Sequence, residues 1–182
     1  MLAYALGCAM WSLGILPGPV GIEASVGVRS PIPLHGGAVI GGGINGSLGI
    51  VGPLTLVAGV QFGRATALAS SSDITIDEYR FFIGPEIAWI KGVGALFARA
   101  GVGMIGLVQN VRDLGTGNGT EPIHDGHTVG PWLWSTLGAR VFFGDHVFTH
   151  VMAGGGWTWL RVDDQRKHNM HAIAECGLGY RF

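Results

Sequence analysis

The residues able to do chemistry in this chain fall at alternate positions. Glu23, Arg29, Glu78, Arg80, Glu86, Arg99, Arg140, His150, His171, Glu175 and Arg181 stand in runs whose intervening residues are largely apolar. Charges gathered on one buried face must find partners, because an unpaired buried ion is costly. They form either a mutually neutralising interior or the lining of a narrow, gated pore. Nucleophilic catalysis needs a serine with a histidine in reach. Ser25, Ser47 and Ser135 carry no matching motif, His150 has Met152 two positions on, and Ser70–Ser72 with Asp73 reads as a loop. His124, Asp125 and His127 read as solvated loop residues rather than metal ligands. The Gly115–Gly119 run lacks the strand–loop–helix context of a phosphate cradle. Cys8 and Cys176 give no disulfide framework. No catalytic, cofactor or metal residue is expected.

A period of two is what positions these groups, and it marks strands. The alternation predicts strands over about 20–29, 37–50, 54–65, 76–90, 95–109, 128–143 and 146–161, with an eighth ending the chain at Phe182. Pro85 cannot donate to a ladder, and a bulge is expected there. The tight turns are Val51–Pro53, Lys91–Gly94 and Gly144–Asp145, and the longest loop is 110–127. The connections alternate long and short from end to end. Counting outward from the turn near residues 92 and 93 brings Glu86 opposite Arg99. The same count at the next turn brings Arg140 opposite His150, two groups that need an acid, for which Glu175 or Glu23 is the candidate.

Composition bounds the environment. Of 182 residues, 48% are hydrophobic and only 13% are charged, and there are two lysines, Lys91 and Lys167. Mean hydropathy is +0.40. A soluble surface carries far more charge than this. Beyond Glu23 no apolar run reaches the roughly 18 residues of a membrane helix. High hydropathy without helical spans points to an all-β chain, an eight-stranded antiparallel up-and-down transmembrane β-barrel. Residues 1–19 carry no charge and read as a signal-peptide remnant or apolar N-terminal segment, leaving 20–182 as the barrel. The net charge of −1 shows no nucleic-acid footprint.

Alternation alone does not say which face points out. The charged face is rich in glycine, which suits a crowded interior and leaves room for small water-filled spaces. The apolar face gathers aromatics at strand ends: Phe62, Tyr79, Phe81, Trp157 and Trp159 toward the loops, and Trp89, Phe143, Tyr180 and Phe182 toward the turns. Two aromatic girdles are what the two interfaces of a bilayer select. The expected interior network is Glu23, Glu86, Arg99, Arg140, His150 and Glu175.

The last strand, Glu175 to Phe182, carries Glu175, Gly177, Tyr180 and Phe182 at the positions polar-x-Gly-x-x-aromatic-x-aromatic. That end resembles the assembly signal of bacterial outer-membrane barrels. With it, the pattern over 20–182 resembles the small eight-stranded outer-membrane proteins of the OmpA-barrel, OmpX and opacity-protein type. The resemblance implies an outer membrane of Gram-negative type with both termini periplasmic, and contact with lipid, lipopolysaccharide and the barrel assembly machinery. It implies an anchor or surface-interaction role, with extracellular partners met through loops, and a narrow porin-like channel as the alternative. Some relatives are lipid A acyl hydrolases, but Met152 stands where such an enzyme would place a serine.

Overall fold

The computed structural model describes residues 20–30, 38–69, 72–113, 122–162 and 165–182; near several strand ends only the backbone pairing is described. Eight strands follow one another: β1 Val20–Arg29, β2 Val39–Val51, β3 Leu54–Ala69, β4 Ser72–Lys91, β5 Gly94–Asp113, β6 Pro122–Phe143, β7 Val147–Val162 and β8 Gln165–Arg181. Each pairs antiparallel with its sequence neighbour, and β8 returns to β1, so the sheet closes on itself. Closure pairs both edges of the terminal strand and leaves it no bare edge within the barrel.

The turns explain the tight end. Gly52 and Gly92 have φ of +53° and +63°. These are the left-handed values that a two-residue hairpin turn of the Gly-X kind requires at its first position. Their backbone twist matches the strands they join. The strands are strongly tilted: pairings traced from Glu23 run through Asn45, Gly59, Phe82, Gly103, Trp132 and Thr158 to Asn169. Asn169 lies beyond the last β8 residue paired with β1, Ile173.

Three expectations about the wall are corrected. The ladder between β4 and β5 keeps one register on both sides of Pro85, from Ile83↔Val102 to Glu86↔Arg99, so no bulge forms there. A gap in hydrogen bonding at proline is absorbed without an extra residue. The bulges lie instead at Gly49/Val51 and Val111/Arg112. The loop expected over 110–127 is mostly strand, since β5 runs to Asp113 and β6 starts at Pro122. Likewise β4 begins at Ser72, inside the loop expected over 70–73. Polar, glycine-rich composition favours a loop, but cross-strand pairing holds these residues extended. Between β3 and β4, and between β7 and β8, the long side is therefore made of overhanging strand.

The overhang is uneven. β4, β5 and β6 have 20, 20 and 22 residues against 10 in β1. The β2–β3 ladder ends at Ile40↔Arg64, the β6–β7 ladder begins at Trp132↔Thr158, and the β1–β8 ladder ends at Arg29↔Ile173. Past those points β3 to β6 continue as a four-stranded sheet, and β7 with β8 as a hairpin.

Candidate functional site

The polarity of the barrel is inverted relative to a water-soluble fold. Val26, Ile40, Leu96, Leu137 and Leu178 are all more than 60% exposed on the outer face, whereas Glu23, Glu86 and Arg99 are each 2% exposed inside. The outer face also carries Phe62, Tyr79, Phe81 and Trp157 near the loop end and Trp89, Phe143, Tyr180 and Phe182 near the turn end. Trp159 stacks on Trp157, and Phe62 meets Tyr79 edge to face.

Two charge clusters cross the interior. In the one nearer the turns, Arg99 Nε donates to Glu86 at 2.5 Å and its Nη2 to Glu23 at 2.7 Å. Arg140 donates to both carboxylates, to Glu86 at 3.0 and 2.9 Å and to Glu23 at 2.9 Å. Two acids and two guanidiniums thus close a neutral square, with charge-assisted bonds on every side. Arg140 also lies between Phe97 and Phe148, 4.5 and 4.7 Å from their ring centres. The register pairs Glu86 with Arg99 and Arg140 with His150. The acids serving Arg140 are Glu23 and Glu86, not Glu175.

Glu175 belongs to the second cluster. It accepts from Arg29 at 3.2 Å, from Gln61 at 2.9 and 3.0 Å, and from the Ser25 hydroxyl at 3.3 Å. Arg29 also donates to Glu78 at 2.9 Å, and Arg80 pairs with Glu78 at 2.7 Å. Arg80 reaches the His171 ring at 3.0 Å and sits 4.6 Å above Trp132. Arg29, Glu78, Arg80 and His171 share the inward parity in the sequence, but only their meeting across β1, β4 and β8 makes them one network. His150 is buried beside Phe97 and Phe148, and neither ring nitrogen has a hydrogen-bond partner among the described residues.

A third layer is missing from the expectations. Val57, Phe82, Ile105, Leu107, Trp132, Trp134, Leu160 and Ile173 pack into an apolar cluster inside the barrel. Alternation places Trp132 and Trp134 on the inward face with Thr136 and Arg140, but an inward face recognised by its polar residues leaves out Val57, Phe82, Ile105, Leu107, Leu160 and Ile173 and the layer they form. The inward glycines make room for these rings. A Cβ on Gly103 would collide with the Trp132 indole nitrogen, and one on Gly179 with the Phe148 ring. The same holds for Gly138 under Phe97 and Gly177 under His150. These glycines are covered by large side chains instead of opening water-filled space. At the turn end a cavity of about 90 Å³ reaches down to Glu23, Glu86 and Arg140.

No catalytic pair is assembled among the described residues: Ser25 is bonded to Glu175, Ser135 faces outward and His150 inward. No group of three metal-ligating side chains occurs among the described residues. The side chains of His124 and Asp125 and the Gly115–Gly119 run lie outside the described residues, as do residues 1–19.

The closed eight-stranded barrel recurs among known proteins. The chain has the fold of the small bacterial outer-membrane barrels. It superposes on a major outer membrane protein of Thermus thermophilus with a TM-score of 0.60, covering 91% of this chain and 99% of that one at 12% identity. It superposes on Neisserial surface protein A with a TM-score of 0.54, covering 90% and 96%, also at 12% identity. For Ail, the attachment invasion locus protein of Yersinia pestis, solved with the heparin analogue sucrose octasulfate, the TM-score is 0.51, the coverage 91% and 98%, and the identity 12%. No protein-family model matches the sequence. No curated protein matches it either.

Proposed function

We propose that the chain is an integral outer-membrane barrel that anchors a surface-interaction sheet, with a plugged interior and both termini on the periplasmic side. The inverted polarity carries this reading: an exposed apolar wall is stable only against lipid, and paired charges inside need no water. A strand needs roughly 9–11 residues to span a bilayer, so about half of β4, β5 and β6 projects beyond it. Turns are short on the periplasmic side of such barrels and extensions are longer outside, which supports this orientation. The projecting β3–β6 sheet and β7–β8 hairpin are the parts that meet extracellular partners. Protease added to intact cells is expected to cut within 110–127 and to spare Val51–Pro53, Lys91–Gly94 and Gly144–Asp145. Cutting at those turns instead would reverse the orientation.

The turn-end cavity favours a second reading, a narrow channel. Against it stand the charge square, the second cluster and the apolar layer, stacked along the axis. Purified protein in planar bilayers is expected to show no steady single-channel openings; regular openings would replace the anchor by the channel.

Gly177, Tyr180 and Phe182 are proposed as the signal read by the barrel assembly machinery. The Phe182 side chain is largely exposed and the residue is tied to β1 through its backbone N–H to Val20 O, so its ring adds little to the finished barrel. Its deletion is expected to lower the amount reaching the outer membrane while leaving the unfolding of the assembled fraction unchanged. Undiminished insertion would remove the signal reading.

A further inference from the structure

We infer that the turn-end cavity is a seat for a small monovalent inorganic anion such as chloride. The cavity measures about 90 Å³. That is the space of about three waters at roughly 30 Å³ each, enough for one such ion with water beside it. The side-chain groups left free around it are donors. Ser47 and Thr55 line one wall, Ser47 opposite Gly21 and Thr55 opposite Gly49 in the ladders. A Cβ on Gly21 would lie 2.6 Å from Ser47 Oγ, so the glycine is what leaves that hydroxyl room. Neither hydroxyl is hydrogen-bonded to another described residue. At the inner end Arg140 is 8% exposed, and its Nε has no hydrogen-bond partner among the described residues.

The acids facing the cavity are already engaged. All four carboxylate oxygens of Glu23 and Glu86 accept from Arg99 or Arg140. These two acids and two guanidiniums sum to zero charge. Arg181 also lines the cavity, its guanidinium carbon 5.8 Å from the Phe142 ring centre, and adds one positive charge. Asp145, in the nearby β6–β7 turn, does not line it. An ion leaving water needs both an opposite charge and hydrogen bonds. An anion finds both here: two hydroxyls and a buried guanidinium N–H that donate, and an excess positive charge. A cation finds saturated carboxylates and repulsion.

The test uses the full chain purified in detergent. Crystals soaked in bromide, which stands in for chloride, are searched for anomalous scattering. In solution the unfolding midpoint is followed as chloride replaces gluconate, an anion too large for the cavity, at constant ionic strength. A bromide peak bounded by Ser47, Thr55 and Arg140 is expected. The midpoint should rise with the logarithm of chloride above a threshold concentration, as for a ligand bound by the folded state alone. In the double variant Ser47→Ala, Thr55→Val that threshold should move up about tenfold for each hydroxyl lost, the effect of one hydrogen bond to a charged group. A midpoint indifferent to chloride, or an unmoved threshold in the double variant, would overturn the seat. A cavity without a peak holds water and overturns it too. A bromide peak without any chloride dependence in solution is binding at crystal concentration only, and counts equally against it. Should the double variant fail to fold, the two wild-type measurements decide.

Discussion

Replacing Arg99 by Met is expected to destabilise the barrel by about 3–5 kcal/mol, the cost of breaking a buried ion pair on one side. Arg99 is bonded to Glu86 at 2.5 Å and to both oxygens of Glu23. Without it two carboxylates share the single guanidinium of Arg140. Glu86→Gln has the opposite defect, leaving Arg99 and Arg140 with only Glu23. The double substitution restores neutrality, since Glu23 and Arg140 remain at 2.9 Å. The combined cost should therefore be less than the sum of the single ones. A double-mutant cycle, with unfolding followed in detergent or bilayer, reads this coupling directly. Strict additivity would show that the four groups do not act as one square. Arg64 and Asp77 form a pair of similar length, 2.6 Å, with the Arg64 side chain 67% exposed. Arg64→Met is expected to change stability little, because solvent already screens that pair.

Trp132→Ala is the second large loss, again about 3–5 kcal/mol, the usual range for removing a large buried aromatic. The ring is 2% exposed and lies at the centre of the loop-end plug. It stacks on Trp134 and His171 at 6.0 and 5.9 Å, meets Phe82 edge-on, and carries Arg80 on its face. Its indole N–H donates to the Phe81 carbonyl at 3.3 Å. Truncation leaves a cavity in a closed tube whose walls are tied by ladders on both sides and cannot collapse. Gly103→Val attacks the same packing from below, since its Cβ would collide with both the indole nitrogen and the Phe81 carbonyl. Both variants should unfold at lower denaturant with unchanged strand content by circular dichroism. A shift for Trp132→Ala of less than about 1 kcal/mol would mean the ring is not packed as described.

Strand number, the sidedness of nearly every residue and the pairing of Glu86 with Arg99 are legible in the chain alone. A strand has a period of two, and a tight turn fixes the register beside it, so local information suffices. The aromatic positions at both rims follow from the same parity. Three features need the closed barrel. Adjacency of strands offers Arg140 two acids, Glu175 or Glu23; Glu23 is the one that reaches it, while the tilt carries Glu175 to Arg29 and Gln61 at another depth. Depth depends on the sum of all eight registers, which no single turn contains. The loop ends mislead because residues 110–113 and 122–127 are held extended by their neighbours across the sheet, not by their own composition. The apolar plug of Phe82, Trp132 and Trp134 is hidden because parity says which face a side chain takes and nothing about what stands opposite. Only curvature brings β4, β5 and β6 round onto β7 and β8; the glycine beneath each ring is its direct cross-strand partner, as Gly103 is to Trp132 and Gly179 to Phe148.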